Sequence, residues 1–304
     1  MSIMTGFLKK QSKGIVAIVC PEEEKVMQAV NDAVKLGLGR FILFGNEEKI
    51  KKFSIFEVIN SDKISIISTV DKNEAIRLAI ETVSLGNADV LMKGLVDTGA
   101  LMKEFLKSQY GLRSNGLLSH IMVMEIKKLN RLLFLSDGGM NINPNVEEII
   151  QITLNAINFS KSIGISCPKV ALLSAVEKVN PKLESSLKCQ AVSDFFQREV
   201  IDCEVFGPLS LDIALSKEAA KTKGFENSVA GEADILIAPF LEVANVIYKT
   251  WVLADPSIET AGIVFGGKIP VVLTSRSDSY QTKLNSIALA LSIKGIYEQT
   301  DIDN

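Results

Sequence analysis

One histidine and four cysteines are all that this 304-residue chain holds of the side chains that most often ligate zinc. The cysteines, Cys20, Cys167, Cys189 and Cys203, stand far apart, with no C-x-x-C pair. Structural zinc sites draw on Cys and His clustered at short spacings, so no metal is expected, and the cysteines read as reduced, mostly buried thiols. An excess of basic charge is also missing: 33 Lys and Arg against 36 Asp and Glu leave a formal net charge of -3. Without a basic field there is no general attraction for nucleic acid or an anionic membrane, and a polyanionic ligand must be held by a local cluster. Long apolar runs are absent too. The best candidate, residues 14–20, has the length of a buried strand and not the ~18–20 residues of a spanning helix. The N-terminal Met1-Ser2-Ile3-Met4-Thr5-Gly6-Phe7-Leu8-Lys9-Lys10 lacks the apolar core and small-residue cleavage site of a secretion signal, which sets the expectation of a cytoplasmic protein.

What is abundant is aliphatic: 47% of residues are hydrophobic but only 6% aromatic, with 23% charged, a composition typical of globular α/β proteins. The length exceeds one ordinary core and predicts about two domains. Strand-sized apolar runs alternate with helix-period segments, the signature of βαβ units around a largely parallel sheet. Residues 14–19 predict a buried first strand, and beyond Pro21 the residues Val26, Ala29, Val30, Ala33 and Val34 share one helical face. Residues 40–45, 56–60 and 88–92 predict further strands, and Asp71-Lys72-Asn73-Glu74 has the spacing of a helix capping box. Two more strands, 117–126 and 132–136, lead to the turn Asp137-Gly138-Gly139. Asn143-Pro144 then reads as an N-cap with proline at the first helical position, opening a helix to about residue 162. Segments 169–174, 200–206, 233–239, 262–265 and 270–274 follow as strands, and a helix over 279–293 finishes the pattern.

Ligands of open parallel sheets bind beyond the carboxyl ends of strands, so polar residues after apolar runs are the first candidates. Val271-Val272-Leu273-Thr274-Ser275-Arg276-Ser277-Asp278-Ser279 passes from a buried strand into hydroxyls, an arginine and a helix start. Hydroxyls, the N–H groups of a helix start and the guanidinium fork of Arg276 suit a phosphate dianion. The plain alternative is that Ser277 or Asp278 caps the helix and Arg276 pairs with a surface carboxylate. A second strand end, Asp89-Val90-Leu91-Met92-Lys93-Gly94-Leu95-Val96-Asp97-Thr98-Gly99, lacks Walker spacing. There Lys93 is either a ligand group or a solvated loop charge, and Thr98 either a ligand group or an N-cap. The third segment, Gly111-Leu112-Arg113-Ser114-Asn115-Gly116-Leu117-Leu118-Ser119-His120, holds an arginine in a Gly-bounded turn and the one histidine in a strand. Because Leu118, Met122 and Met124 share its face, His120 reads as a buried, hydrogen-bonded residue before it reads as a general base.

Five more stretches complete an ordered set: Ser136-Asp137-Gly138-Gly139-Met140-Asn141, Ala171-Leu172-Leu173-Ser174-Ala175-Val176-Glu177-Lys178-Val179-Asn180-Pro181, Gly207-Pro208-Leu209-Ser210-Leu211-Asp212, Ala233-Asp234-Ile235-Leu236-Ile237-Ala238-Pro239 and Glu242-Val243-Ala244-Asn245-Val246-Ile247-Tyr248-Lys249. Through nearly its whole length the chain resembles the phosphate acetyltransferase and phosphate butyryltransferase family. The resemblance implies an α/β fold of two lobes, each a largely parallel sheet flanked by helices, with a cleft between them, in the manner of isocitrate and isopropylmalate dehydrogenases. Residues 1–140 plus 262–304 would form the first domain and 141–261 an inserted second.

The resemblance also implies transfer of an acyl group between coenzyme A and inorganic phosphate by direct attack in a ternary complex, with no covalent acyl-enzyme and no obligatory metal. Acyl-CoA and phosphate would be the partners, coenzyme A a substrate and not a cofactor, and the protein a homo-oligomer. Ser275, Arg276 and Asp278 become the catalytic candidates, and Lys93, Thr98, Arg113, Ser119, His120 and Asn245 the substrate-binding ones. The acetyl-specific branch carries an aspartate near the position of Thr282, whereas this chain has Asp278 two residues after Arg276. With the Leu117-Leu118-Ser119-His120 segment, that tilts the resemblance to the butyryl-type branch. The competing readings are phosphate acetyltransferase, a non-catalytic assembly module of the same fold, and a nicotinamide dehydrogenase, which the missing G-x-G-x-x-G after the first strand disfavours.

Overall fold

A computed structural model describes residues 3–9, 14–53, 62–114 and 116–300; the strand expected at 56–60 lies outside them. The chain divides into one unit of Met1–Gly116 with Glu259–Asn304 and a second of Leu117–Ile258, whereas the boundary expected from sequence lies after residue 140.

The first unit holds α1 (Ile3–Lys9), β1 (Gly14–Val19), α2 (Glu24–Lys35), β2 (Gly39–Gly45), α3 (Glu47–Ile50), β3 (Ile64–Ser68), α4 (Lys72–Ser84), β4 (Val90–Lys93) and α5 (Thr98–Phe105), and later in the chain β10 (Glu259–Phe265), β11 (Val271–Val272) and α11 (Tyr280–Thr300). Its strands lie in the order β3-β2-β1-β4-β11-β10. All neighbours are parallel except β10 and β11. Strands β4 and β11 are buried end to end and β1 nearly so, as parallel strands covered on both faces are. Asp71 caps α4 by accepting from the Glu74 N–H at 2.9 Å. The reciprocal arm of the expected capping box is displaced, because the Glu74 carboxylate accepts instead from the Val70 N–H at 2.7 Å. Helix α11 is buried on every side from Thr282 to Leu291, so its polar residues must find partners inside. Ser286 does so by accepting from the Gly262 N–H at 2.9 Å and donating to the Thr282 carbonyl at 2.6 Å.

The second unit holds β5 (Ser119–Ile126), β6 (Arg131–Ser136), α6 (Val146–Ser162), β7 (Lys169–Leu173), α7 (Glu184–Arg198), β8 (Glu204–Leu209), α8 (Leu211–Leu215), α9 (Lys217–Thr222), β9 (Ile235–Ile237) and α10 (Leu241–Ala254). Its strand order is β5-β6-β9-β7-β8, parallel except for the β5–β6 pair. One face packs Met122, Met124, Leu133, Leu135, Leu236 and Tyr248 together. On the other, Phe134 meets Phe159 of α6 edge to face, with centroids 5.8 Å apart. Helix α6 starts later than Asn143-Pro144 suggests. Asn145 is its cap, and Glu148 completes a reciprocal capping box, which satisfies two of the orphan N–H groups at that end. Among the described residues no helix is long and apolar enough to cross a membrane.

Candidate active site

In the first unit β2 leaves β1 to one side and β4 and β11 lie on the other, so β1 and β4 straddle a point where the strand order reverses. The carboxyl ends at such a point form a natural ligand crevice. The register places Val19 beside Lys93 and Val272 beside Met92. The ends of β1, β4 and β11 therefore deliver Cys20 to Glu23, Lys93-Gly94 and Thr274 to Asp278 to one edge.

Lys93 is not a solvated loop charge: it is 6% exposed, and its ammonium donates to the Gly94 and Val96 carbonyls, both at 3.3 Å. Burial, followed by the nearby cations Lys283 and Arg276, holds its pKa below the ordinary lysine value, with Glu23 and Asp97 opposing only in part. Thr98 is half-buried in the first turn of α5, but the helix cap is Asp97, which accepts from the Ala100 N–H at 3.0 Å.

The turn between β11 and α11 presents Ser275, Arg276 and Ser277 to solvent while Asp278 is buried. Arg276 forms no ion pair among the described residues, unlike the surface pairing that its sequence context allowed. The helix cap is neither Ser277 nor Asp278 but Ser279, whose hydroxyl accepts from the Thr282 N–H at 3.1 Å. Asp278 instead turns back, its Oδ2 accepting from the Ser275 N–H at 2.7 Å. The Ser275 and Ser277 hydroxyls are 3.0 Å apart. Lys283, absent from the sequence candidates, is 2% exposed and donates to the Ser275 carbonyl at 3.0 Å. Its pKa is lowered by burial, against the favourable charges of Glu23 and Asp278. Two buried ammonium groups and an exposed guanidinium thus share one strand-end region. Cations depressed in this way gain most from an added anion.

Arg113 is exposed, and its backbone forms an isolated antiparallel bridge with Gly267. The Leu112 carbonyl accepts from the Lys268 N–H at 3.0 Å, and the Ser114 hydroxyl donates to the Gly266 carbonyl. The arginine loop is therefore tied to the connection that feeds β11.

The remaining candidates lie in the second unit. Ser119 is wholly buried, and its hydroxyl accepts from the Asn155 amide at 3.0 Å. His120 is buried against Gly139, where an added Cβ would come within 3.1 Å of the imidazole Cγ. Asn245 is half-buried on α10 and reaches the Gly138 carbonyl at 3.5 Å. Asp137, not among the sequence candidates, organises this corner. One carboxylate oxygen accepts from the Gly139 and Met140 N–H groups at 2.8 and 3.0 Å; the other accepts from the N–H and amide of Asn141 at 3.2 and 2.6 Å. An aspartate opening a Gly-Gly turn is the signal that marks it.

The second unit also has an open hollow of about 540 Å³, lined by residues 176–181, Ile213 and 223–225. Two of its lining charges are paired, Glu177 accepting from the Ser210 hydroxyl at 2.6 Å and from Lys223 at 3.0 Å, while Lys223 also pairs with Asp212 at 3.1 Å; Lys178 lines it too. The first unit's strand-end region, which brings the buried Lys93 and Lys283 together with the exposed Arg276, is the candidate anion site.

Comparison with known proteins gives a consistent result. The family model described as "Phosphate acetyl/butaryl transferase" matches residues 70–291. A phosphate butyryltransferase of Clostridium acetobutylicum is 42% identical over 95% of this chain and 96% of its own length. A phosphate acetyltransferase of Thermotoga maritima is 41% identical over 90% and 93%. Among solved structures, a branched-chain phosphotransacylase from Enterococcus faecalis V583 is 34% identical with a TM-score of 0.83, covering 92% of this chain and 98% of its own.

Proposed function

The chain belongs to the phosphate acetyl/butyryl transferase family, and on that premise we propose that it moves a short acyl group, butyryl or similar, between coenzyme A and inorganic phosphate. The observation that carries the site assignment is the cationic edge formed by Lys93, Arg276 and the exposed Ser275. A phosphate dianion leaves water only if fixed donors replace its hydration, and a planar guanidinium fork offers two at once.

In the forward direction a phosphate oxygen must lie ~3–3.5 Å from the thioester carbon. Its lone pair forms the C–O bond, and the C–S bond then breaks with its electron pair leaving on sulfur. Acyl-CoA and hydrogen phosphate give acyl phosphate and CoA thiol, the phosphate proton ending on the thiolate. In this reading Arg276 and Lys93 grip phosphate, and Ser275 donates to the developing oxyanion or the departing sulfur. Asp278 is the nearby carboxylate for the proton. Thr98, Arg113, Ser119, His120 and Asn245 remain proposed contributors to binding the two substrates.

One added methylene is worth only ~1–3 kcal/mol of discrimination, so acyl preference is read from kinetics. Purified protein should release CoA from butyryl-CoA only when phosphate is present and without added metal. Absence of phosphate-dependent release from every short acyl-CoA overturns the function, whereas a strong preference for acetyl-CoA overturns only the butyryl assignment. A cytoplasmic homo-oligomer remains part of the proposal. Helix α10 leaves Val246 and Leu253 62% and 82% exposed, with the exposed Lys249 and Thr250 between them, a mixed face on which a second copy could pack. A monomeric mass by light scattering would remove the oligomer.

A further inference from the structure

Lys283 poses a physical problem. It sits in a helix buried on all sides, and a buried ammonium loses its hydration unless partners replace it. The Glu23 carboxylate oxygen is 4.0 Å away, too far for a hydrogen bond. Its short contact is with the Ser275 carbonyl at 3.0 Å, supplemented by the Thr274 hydroxyl at 3.4 Å. On the other side of the same residue, Asp278 accepts from the Ser275 N–H at 2.7 Å. The backbone of Ser275 is thus held at its carbonyl by a cation and at its N–H by a carboxylate. Both bonds are charge-assisted and stronger than their neutral counterparts. What this clamp fixes is the start of an otherwise exposed turn carrying the Ser275 hydroxyl and the Arg276 fork.

We infer that Lys283 is a positioning residue: with Asp278 it holds the Ser275 backbone so that Ser275 and Arg276 meet phosphate in one fixed geometry. This rests on the acyl-transfer reading of the same edge. Lys283 acts through Ser275 and does not need to touch substrate. A displacement of about 1 Å at a reacting group is enough to cost ~100-fold in rate, and that is the scale on which the clamp works.

The test is steady-state kinetics of Lys283→Met, which keeps the volume and removes the donor. The expected result is a kcat lower by ~10–100-fold, near-normal KM for phosphate and acyl-CoA, and a melting temperature no lower than wild type. Lys283→Gln, which restores a neutral donor toward the Ser275 carbonyl, should recover part of the loss, and it serves in the same measurements should the methionine variant not fold. Combined with Arg276→Ala, the lysine substitution should add less than its full effect, since one of the two groups it positions is gone. A raised phosphate KM at unchanged kcat would make Lys283 a direct phosphate ligand and overturn the positioning role, as would a full additional loss in the double variant. If Arg276→Ala is impaired and Lys283→Met is normal, only this inference falls. If Arg276→Ala is itself normal, the site reading falls and this one with it.

Discussion

Replacing Gly94 by alanine probes how tightly the fold holds Lys93. The glycine follows Lys93 where the chain leaves β4, and its N–H donates to the Val19 carbonyl at 2.8 Å while the next N–H, of Leu95, donates to the Cys20 carbonyl at 2.7 Å. A Cβ on residue 94 would lie 2.2 Å from the Cys20 carbonyl oxygen and 2.5 Å from that of Val19. Both obstacles are backbone. To reach even the 3.0 Å that real Cβ contacts respect, the turn must retreat by about 0.8 Å (3.0 less 2.2). The end of β1 has little room to yield, because Cys20 already holds a left-handed φ of 49°, a strained conformation for a side chain other than glycine. Overpacking of this kind costs typically ~1–3 kcal/mol or more, and ~3 kcal/mol corresponds to a fall in Tm of roughly 6–12 °C. The retreat also carries the Lys93 ammonium, so phosphate KM or kcat should worsen by up to ~100-fold. Calorimetry and steady-state kinetics read both effects. Gly295→Ala is the control: an added Cβ there meets nothing within 4 Å, and alanine should be neutral or up to ~1 kcal/mol stabilising in that helix. A Gly94→Ala protein with wild-type Tm and phosphate kinetics would refute both the close approach and its link to Lys93.

Arg276→Ala should lower kcat by ~10²–10³-fold if the guanidinium acts in the transition state, with Arg276→Lys recovering only part; an effect on phosphate KM alone would limit it to ground-state binding, and normal kinetics would remove the site. Burial first, then Lys283 and Arg276, keep the Lys93 pKa low, and bound phosphate must raise it again. The complex then holds more protons than the free enzyme in the window between that lowered value and 10.5, so affinity for the phosphate dianion, taken relative to the dianion present at each pH, should weaken as pH rises through it. Affinity that strengthens across the window contradicts the placement of phosphate beside Lys93. The Cys20 and Cys189 thiols are pushed up to about 12, mainly by burial, while Cys167 is exposed. A disulfide reagent near neutral pH should modify Cys167 first and leave Cys20 and Cys189 silent until unfolding; fast labelling of either, located by peptide mapping, would contradict their burial.

Strands buried on both faces were legible as continuous apolar runs, and β1 coincides with its run at residues 14–19. The misses have physical causes. Strand β3 alternates half-buried and exposed residues at the edge of its sheet, and such a short, half-wet strand carries little apolar signal. Strand β8 lies over Glu204–Leu209 and not 200–206, because Gly207-Pro208 reads as a stop. Proline is admissible there since β8 pairs only with β7 and borders its sheet, where a missing N–H need cost no ladder bond. The start of α6 turned on Glu148, whose reciprocal bond selects Asn145 over Asn143. Two asparagines before one helical run look equivalent until the carboxylate's reach is known.

The site divides along the same line between local and tertiary information. Polar residues directly after buried strands made Lys93, Ser275 and Arg276 candidates, because a parallel sheet makes strand ends its ligand edge. Lys283 escaped, because a lysine in a helix is by default a solvated one, and only the packing of α11 on all sides turns it inward. Once it is inward, its charge has consequences that sequence spacing cannot express. Lys93 and Lys283 are each lowered by burial, and Lys283 and Arg276 lower Lys93 further, so their charged forms are held at a cost that an added anion would relieve. In the second unit's hollow the ammonium of Lys223 is paired directly with Glu177 and Asp212. In the proposed reading the added anion is phosphate, the substrate of this family's reaction with the charge and size to meet Lys93 and Arg276 together.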